Sequence, residues 1–168
     1  MATTLNNLSG LYYAQGRDAE AEALIQRALT IREKVLGPEH PQFAQSLNNL
    51  AVLYRAQSRY AEAELLSLRA LAIFESAVGS NHPHIAFVLN DLGLLYEAQG
   101  RYAKAEPLFQ RGLAIREAAL GSNHPDLATS LENYAALLRA TQRAEQAAKL
   151  ELRAKAVRAK HAQDNPVE

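Results

Sequence analysis

The sequence contains no cysteine and no tryptophan, and it has only one methionine in 168 residues. The missing cysteines exclude a disulfide framework and any cysteine-ligated metal site. Neither sign of charge dominates, because 18 Lys and Arg residues balance 18 Asp and Glu residues. A chain without net charge offers no general attraction to nucleic acid or to an anionic membrane. We therefore expect neither of these as a partner.

Long hydrophobic runs are also missing. No apolar segment approaches the roughly 20 residues that span a bilayer, and the N-terminal residues lack the basic and apolar regions of a signal peptide. Runs of β-branched residues are absent while alanine is abundant, which favours helix over strand. These features predict an all-α, cytoplasmic protein of about one domain.

What the sequence does have is a repeat of 42 residues. The segment from Leu89 to Ala128 recurs in recognisable form when the chain is shifted by this period. One position of the period holds Leu5, Leu47, Leu89 and Leu131, and another holds Arg17, Arg59, Arg101 and Arg143. A fixed period of this size is typical of a solenoid, in which each unit buries its apolar face against the next.

Each period has the pattern of two helices. A His-Pro joint places proline at the first helical position, and Leu47, Leu50, Ala51 and Tyr54 then form one apolar face. A Gln-Gly or Gln-Ser step separates the two helices, and a glycine ends the second. We predict first helices over about 2–15, 41–57, 83–99 and 125–141, and second helices over about 17–36, 59–78, 101–120 and 143–162. Connections this short predict antiparallel neighbours.

The period predicts one solenoid over 1–162, with repeats at about 1–37, 38–79, 80–121 and 122–162, and a frayed tail at 163–168. The first repeat lacks its His-Pro joint, so we expect it to be truncated and the chain to be a fragment of a longer array. In the last repeat Lys155 replaces an apolar residue, and the second helix is rich in Lys and Arg. We interpret this helix as a solvated cap; the alternative is a basic docking surface for an acidic partner.

The motifs within each copy resemble the tetratricopeptide repeat. Leu92-Gly93-x-x-Tyr96 matches the core motif of its first helix, and Ala105-x-x-x-Phe109 matches that of its second. The longer unit, with its His-Pro joints, resembles the repeats of kinesin light chains and their bacterial relatives. The resemblance implies a right-handed superhelical solenoid of four antiparallel helix pairs. It also implies a protein-binding module whose concave face is lined by the first helix of each pair.

The side of each first helix that lies opposite its apolar face supplies the candidate binding residues. Two adjacent positions there hold asparagine in six of eight cases, although asparagine is a mediocre helix former. A carboxamide both donates and accepts hydrogen bonds, so a ladder of them can hold the backbone of an extended peptide, as the resemblance to kinesin light chains also implies. The predicted groove consists of Asn6, Asn7, Asn48, Asn49, Val52, Arg55, Asn90, Asp91, Leu94, Glu97, Asn133 and Arg139. The alternative is that the asparagines hydrogen-bond between neighbouring repeats or to water.

Charge and side-chain size would tune this groove. We expect Arg55, Glu97 and Arg139 to set its charge. The small residues Gly10, Ala56, Ala98 and Ala136 are expected to leave shallow apolar pockets for anchor side chains of a partner. Such anchors carry most of the affinity in protein interfaces.

The sequence shows no catalytic constellation. His40, His82 and His124 lie one repeat apart, hence about 10 Å between stacked helices, whereas metal–nitrogen bonds are about 2 Å long. We therefore expect these histidines to pack and hydrogen-bond within the joints. Phosphate-binding loops and nucleophile elbows are also missing. We predict a module that is not an enzyme, needs no cofactor, and binds a protein or peptide. The alternatives are a scaffold that forms a homo-oligomer through exposed solenoid ends, and a regulatory module of a longer protein.

Overall fold

The computed structural model describes residues 1–121 and 124–165, and these residues form helices without any strand. There are eight such helices: α1 (Ala2–Ala14), α2 (Asp18–Leu36), α3 (Pro41–Ala56), α4 (Tyr60–Val78), α5 (Pro83–Ala98), α6 (Tyr102–Leu120), α7 (Pro125–Ala140) and α8 (Ala144–Asp164). The predicted helix bounds are confirmed to within two residues. The largest difference is at the C-terminal end, where α8 includes two residues of the predicted tail; residues 166–168 of that tail lie outside the described part.

The chain divides into two compact units, Met1–Ser80 and Asn81–Glu168. In the first unit α1 packs on α2, α3 packs on α4, and α2 joins the two pairs through α3. In the second unit α5 packs on α6, α7 packs on α8, and α6 joins the two pairs through α7. Each unit thus consists of two tetratricopeptide-like helix pairs. The division lies one residue after the expected boundary between the second and third repeats; the extent of each repeat stays a prediction.

The joint histidines cap the first helices of the last three repeats. The Nδ1 atom of His40 accepts a hydrogen bond from the backbone N–H of Gln42 at 3.1 Å. His82 and His124 do the same with the backbone N–H groups of His84 and Asp126, at 3.3 and 3.2 Å. Each bond satisfies one of the donors that a helix leaves free at its N-terminus. The expectation that these histidines hydrogen-bond within the joints is confirmed.

The turn between the two helices of each pair needs a residue with positive φ. Gly16 and Gly100 supply it in the first and third repeats, with φ of 71° and 69°. The equivalent residues in the second and fourth repeats are Ser58 and Gln142, with φ of 60° and 62°. Residues other than glycine pay a steric cost in this region, so these two turns are strained relative to the other two.

Replacing Ser58 with glycine is therefore expected to raise the free energy of unfolding by about 0.5–1 kcal/mol, since relief of the steric cost exceeds the added chain entropy of glycine. The reverse change at the equivalent turn, Gly100→Ser, should lower it by a similar amount. Urea titration followed by circular dichroism measures both. A stabilising Gly100→Ser variant would contradict this reading of the turn.

The core of α5 and α6 depends on one glycine. A Cβ atom built on Gly93 would lie 2.8 Å from Cε1 of Phe109, so the aromatic ring fits only because Gly93 has no side chain. Phe109 is 2% exposed. The equivalent pairs in the other repeats combine a different small residue with a different partner: Ser9 with Ile25, Ala51 with Ser67, and Ala135 with Glu151. The aromatic residue therefore occurs only in the repeat that has glycine at this position of its first helix.

The repeated arginine joins the helices of each unit. In the second repeat, Arg59 lies over the ring of Tyr54, with Cζ 3.6 Å from the ring centroid, and its Nη1 lies 3.2 Å from Oε2 of Glu22 on α2. Tyr54 also donates a hydrogen bond to Glu22 at 2.9 Å. This contact connects the second repeat to the first. Burial and the neighbouring Glu22 carboxylate raise the pKa of Tyr54.

The fourth repeat makes the same connection with its tyrosine in another position. Leu138 replaces the tyrosine, but Tyr134, one turn earlier on α7, donates to Glu106 at 3.0 Å. Arg143 completes the contact with Nη1 at 2.8 Å from Glu106 Oε1. The hydrogen bond from Arg143 lowers the pKa of Glu106. Because Tyr134 lies four residues before Leu138, it presents its hydroxyl from the same face of the helix.

Candidate functional site

All the predicted groove residues lie on the first helix of a pair. In the first unit they lie on α1 and α3, and in the second unit on α5 and α7. Their exposure differs: Asn7 and Arg139 are exposed, Asn6 and Asn48 are buried, and the others are half-buried, namely Asn49, Val52, Arg55, Asn90, Asp91, Leu94, Glu97 and Asn133. Whether they bind a peptide stays a prediction.

The first unit has a cavity of about 210 Å³ between α1, α2 and α3. Its walls include Gly10 and Tyr13 of α1, Ile25 of α2, and Asn49 and Val52 of α3. A Cβ atom on Gly10 would meet no atom within 4 Å, whereas the equivalent positions of the later repeats hold Val52, Leu94 and Ala136. The cavity is therefore open where the first repeat lacks a side chain, as the sequence predicted for this position.

None of the side chains that line this cavity is charged. Ile25 and Val52 make much of the wall apolar, and Tyr13, which is 40% exposed, stands beside it. Asn49, half-buried, brings a carboxamide to the cavity wall. The arrangement suits an uncharged apolar side chain whose backbone hydrogen-bonds to the neighbouring amide.

Asn6 is buried and hydrogen-bonds to the neighbouring repeat. It is 6% exposed, and its Nδ2 donates to Oγ of Ser46 on α3 at 3.2 Å. Ser46 in turn accepts from Nη1 of Arg32 at 2.8 Å, and the same Nη1 donates to the carbonyl oxygen of Gln42 at 2.6 Å. For Asn6 the structure thus shows the alternative interpretation, a hydrogen bond between neighbouring repeats.

Two buried arginines were missed by the sequence reasoning. Arg32 and Arg116 are 2% and 3% exposed, and burial lowers the pKa of both guanidinium groups. Arg116 donates to the carbonyl oxygen of Asp126 at 2.9 Å and to the hydroxyl of Ser130, and its Cζ lies 4.4 Å from the ring centroid of Phe87. The signal was present: an arginine and a serine recur together after two periods, as Arg32 with Ser46 and Arg116 with Ser130.

Asparagines also meet directly in the second unit. Nδ2 of Asn133 on α7 donates to Oδ1 of Asn90 on α5 at 2.9 Å. Each carboxamide has two donor hydrogens and an acceptor oxygen. This single bond therefore leaves donors on both residues and the acceptor of Asn133 for another molecule. The two interpretations of the asparagine ladder are compatible here, because a bond between repeats also orients the remaining groups.

Arg139 is bound within its own repeat. Its Nε and Nη2 lie 2.6 and 2.7 Å from the two carboxylate oxygens of Glu151 on α8. The pair raises the pKa of Arg139 and lowers that of Glu151. Because its charge is matched in this way, Arg139 contributes less net positive charge than the sequence suggested. Glu151 stands at the position that Phe109 occupies in the third repeat, so the last repeat has exchanged an aromatic core contact for an ion pair.

The basic helix α8 is partly neutralised. Arg143, the residue just before α8, pairs with Glu106 on α6. Within the helix, Arg153 pairs with Glu117 on α6 and Arg158 with Glu132 on α7. These ion pairs tie the helix to its unit and favour the capping interpretation over that of a basic docking surface.

In residues 1–121 and 124–165, no group of three or more His, Asp or Glu side chains is arranged to hold a metal ion. Within the same residues, none of the helices has the length and apolar character needed to cross a membrane.

Comparison with known proteins identifies the repeat. The tetratricopeptide repeat model matches residues 1–76, 44–118 and 84–160, which together span nearly the whole chain. No curated protein sequence matches this chain significantly.

Solved structures show the same fold. The chain is similar to BtubC (BKLC) from P. vanneervenii, with a TM-score of 0.83 and 28% identity over 99% of this chain, and it spans 66% of the length of that protein. It is also similar to two structures of a putative kinesin light chain from Podospora anserina with nearly identical TPR-like repeats. These have TM-scores of 0.75 and 0.71 and sequence identities of 28% and 29%. The two matches cover 96% and 95% of this chain, and each covers 76% of the kinesin light chain structure.

These neighbours confirm the predicted resemblance to kinesin light chains. Proteins built from such repeats generally mediate protein–protein interactions or act as scaffolds. The repeat motifs, the eight paired helices and the match to the family model agree, and the chain belongs to the tetratricopeptide repeat family.

Proposed function

We propose that this chain binds an extended peptide along its first helices, with an uncharged apolar anchor side chain of the peptide inserted between α1 and α3. The cavity of about 210 Å³ at Gly10 supports this proposal most directly. An apolar cavity of about 150 Å³ accepts a benzene ring, so the space is large enough for a leucine or phenylalanine side chain.

The carboxamides would hold the backbone of the peptide. Asn49 contributes to the wall of the cavity, and Asn7, one period earlier, is exposed on α1. In the second unit, the bonded pair Asn90 and Asn133 keeps further donors and an acceptor. Since these groups recognise peptide backbone, most of the sequence preference would come from the anchor side chain. The preformed helices leave the ordering cost on the side of the peptide.

The proposal includes no catalysis and no cofactor. Tetratricopeptide repeat proteins and their kinesin-light-chain-like neighbours are typically scaffolds without enzymatic activity. The partner would accordingly be a protein, recognised through an unstructured segment.

Filling the cavity tests the proposal. Gly10→Leu should weaken binding of a selected peptide at least tenfold, because the leucine occupies the space of the anchor. Loss of such an anchor typically costs about 2 kcal/mol or more of binding free energy. The same change should not unfold the chain, because the new side chain meets an open space and leucine is a better helix former than glycine. Peptides selected from a display library, followed by calorimetry against both forms, measure the loss.

A matched control uses an exposed alanine of the first unit that does not line the cavity. Ala23→Leu adds the same side chain on α2 and should leave the affinity unchanged. Asn49→Ala should weaken all selected peptides by a similar factor, whatever their sequence. Binding that survives both Gly10→Leu and Asn49→Ala would exclude this site.

A second candidate function is a scaffold that assembles with itself through α1. Leu11 is 61% exposed, whereas Leu53, Leu95 and Leu137 at the equivalent positions are buried. A lysine in place of Leu11 should then lower the mass of the assembled form in sedimentation. A wild-type mass that stays that of one chain at about 1 mM would exclude the scaffold.

A further inference from the structure

The outer face of α4 carries two exposed leucines. Leu65 and Leu68 are 70% and 43% exposed. Ala61 lies one turn before them and Ala72 one turn after them, and both are exposed as well. These positions are spaced i, i+4, i+7 and i+11, so they share one stripe of the helix. We call these four residues the α4 stripe.

The leucine pair is specific to this helix. At the positions equivalent to Leu65 and Leu68, α2 has Ala23 and Gln26, and α6 has Pro107 and Gln110. The fourth repeat has Lys149 and a single leucine, Leu152, which is 71% exposed. Isolated exposed leucines are common on protein surfaces. A continuous apolar row is less common and is typical of a contact surface.

The residues of the α4 stripe read alanine, leucine, leucine, alanine in both directions along the helix. These alanines and leucines lie symmetrically about a point between Leu66 and Ser67. If two copies of α4 pack antiparallel about a two-fold axis at this point, Leu65 of one copy meets Leu68 of the other, and Ala61 meets Ala72. A two-fold symmetric interface requires such a self-complementary surface. The small alanines permit the usual interhelical distance of about 8–10 Å.

The charges beside the stripe fit the same arrangement. Glu62 and Arg69 lie two turns apart along one edge of the stripe. The same two-fold axis brings Arg69 of one copy to the edge that carries Glu62 of the other. Along the helix axis the two residues are then offset by about two residues, or roughly 3 Å. Glu62 already pairs with Arg59 of its own chain at 2.6 Å. A carboxylate has about four lone-pair sites, so Glu62 can accept from a second guanidinium as well.

We infer that the partner of this face is a second copy of the chain, and that the α4 stripes form a symmetric antiparallel contact. Two leucines and two alanines from each copy make a small interface, which is typical of a weak, reversible dimer. This dimer does not use the proposed peptide site, which lies on the first helices of the pairs, whereas α4 is a second helix. It is closed by its two-fold symmetry and stops at two chains.

Sedimentation equilibrium from about 10 μM to about 1 mM tests this inference. The mass should rise from that of one chain, 18.4 kDa, toward that of two and no further. Leu65→Lys should raise the dissociation constant at least tenfold, with unchanged helicity, because the residue is exposed. Leu152→Lys, the same kind of change on an equally exposed leucine of α8, should have no effect. Leu11→Lys should also have none.

The lack of native cysteine permits a test of the register. Chains with Leu65→Cys and chains with Leu68→Cys are mixed under mild oxidation. The mixed disulfide should form faster than a disulfide between two identical chains, because residue 65 of one copy faces residue 68 of the other. The inference is overturned if the wild type remains one chain at about 1 mM. It is equally overturned if the dimer survives Leu65→Lys, if Leu152→Lys or Leu11→Lys also abolishes it, or if the mixed disulfide has no advantage.

Discussion

Replacing Gly93 with alanine is expected to lower the free energy of unfolding by about 1–2 kcal/mol, although alanine is the better helix former. The added methyl group would lie 2.8 Å from the ring of Phe109, which is 2% exposed and cannot withdraw into solvent. Overpacking of this kind typically costs about 1–3 kcal/mol. It outweighs the gain of up to about 1 kcal/mol that alanine brings to a helix.

Gly10→Ala is the matched control for that prediction. Gly10 also lies within a first helix, but a Cβ atom there meets nothing within 4 Å. The same substitution should therefore raise the free energy of unfolding by up to about 1 kcal/mol. Urea titrations of the two variants should shift the midpoint in opposite directions. If Gly93→Ala also raises the midpoint, the close contact with Phe109 does not constrain this position.

A second background makes the prediction sharper. The second repeat has Ser67 at the position of Phe109 and Ala51 at the position of Gly93. Phe109→Ser therefore gives the third repeat the serine that accompanies an alanine in the second. Phe109→Ser alone should cost about 3–5 kcal/mol, the range for loss of a buried aromatic ring. In that background Gly93→Ala should be stabilising, because the ring no longer opposes it. Phe109→Leu is a milder background in case the serine variant does not fold, and the penalty for Gly93→Ala should fall there too.

The second large effect concerns the buried guanidinium of Arg116. Ser130→Val, which removes its hydroxyl partner, is expected to lower the free energy of unfolding by about 1.5–3 kcal/mol, the range for a hydrogen bond to a charged group. Arg116 is 3% exposed, so water cannot easily replace the lost acceptor. Valine was chosen because the equivalent position of the third repeat is Val88.

The double variant gives the decisive comparison. Arg116→Phe with Ser130→Val copies the residues of the preceding joint, Phe74 and Val88. Replacing a charged group and its partner together by apolar residues is often close to neutral, whereas removal of one partner is not. The double variant should thus be more stable than the sum of the single effects predicts, by at least about 1 kcal/mol. Additive single effects in a full double-mutant cycle would show that Arg116 and Ser130 do not act as a pair.

The helices could be predicted from the sequence because their signals are local. The His-Pro joints, the glycines and the spacing of Leu47, Leu50, Ala51 and Tyr54 place each helix, and all four of these residues are buried as expected. Such signals need no knowledge of the neighbouring repeat. The period of 42 residues then repeats the same information along the chain.

The site was predicted less completely, because contacts between neighbouring helices decide which polar groups stay available. Asn6 and Asn7 look alike in sequence, yet Asn6 is buried against Ser46 while Asn7 is exposed. In the sequence, Arg32 looks like an ordinary charged residue on a helix surface, and its burial follows from the packing of α3 on α2. Arg139 pairs with Glu151 because α8 packs antiparallel beside α7. A comparison of equivalent positions across two periods would have identified the buried arginines.

The arginine–serine pair also limits how the repeats can be rearranged. Arg32 at the end of one repeat requires a hydroxyl at the start of the next, and Ser46 and Ser130 supply it. Deleting residues 38–121 would bring Arg32 to Ser130 and preserve the match in a shorter protein. Deleting only 38–79 would bring Arg32 to Val88 and leave a buried cation without that acceptor. Repeats of this chain are therefore not freely interchangeable modules, and a designer who shortens or recombines them has to move them in compatible order.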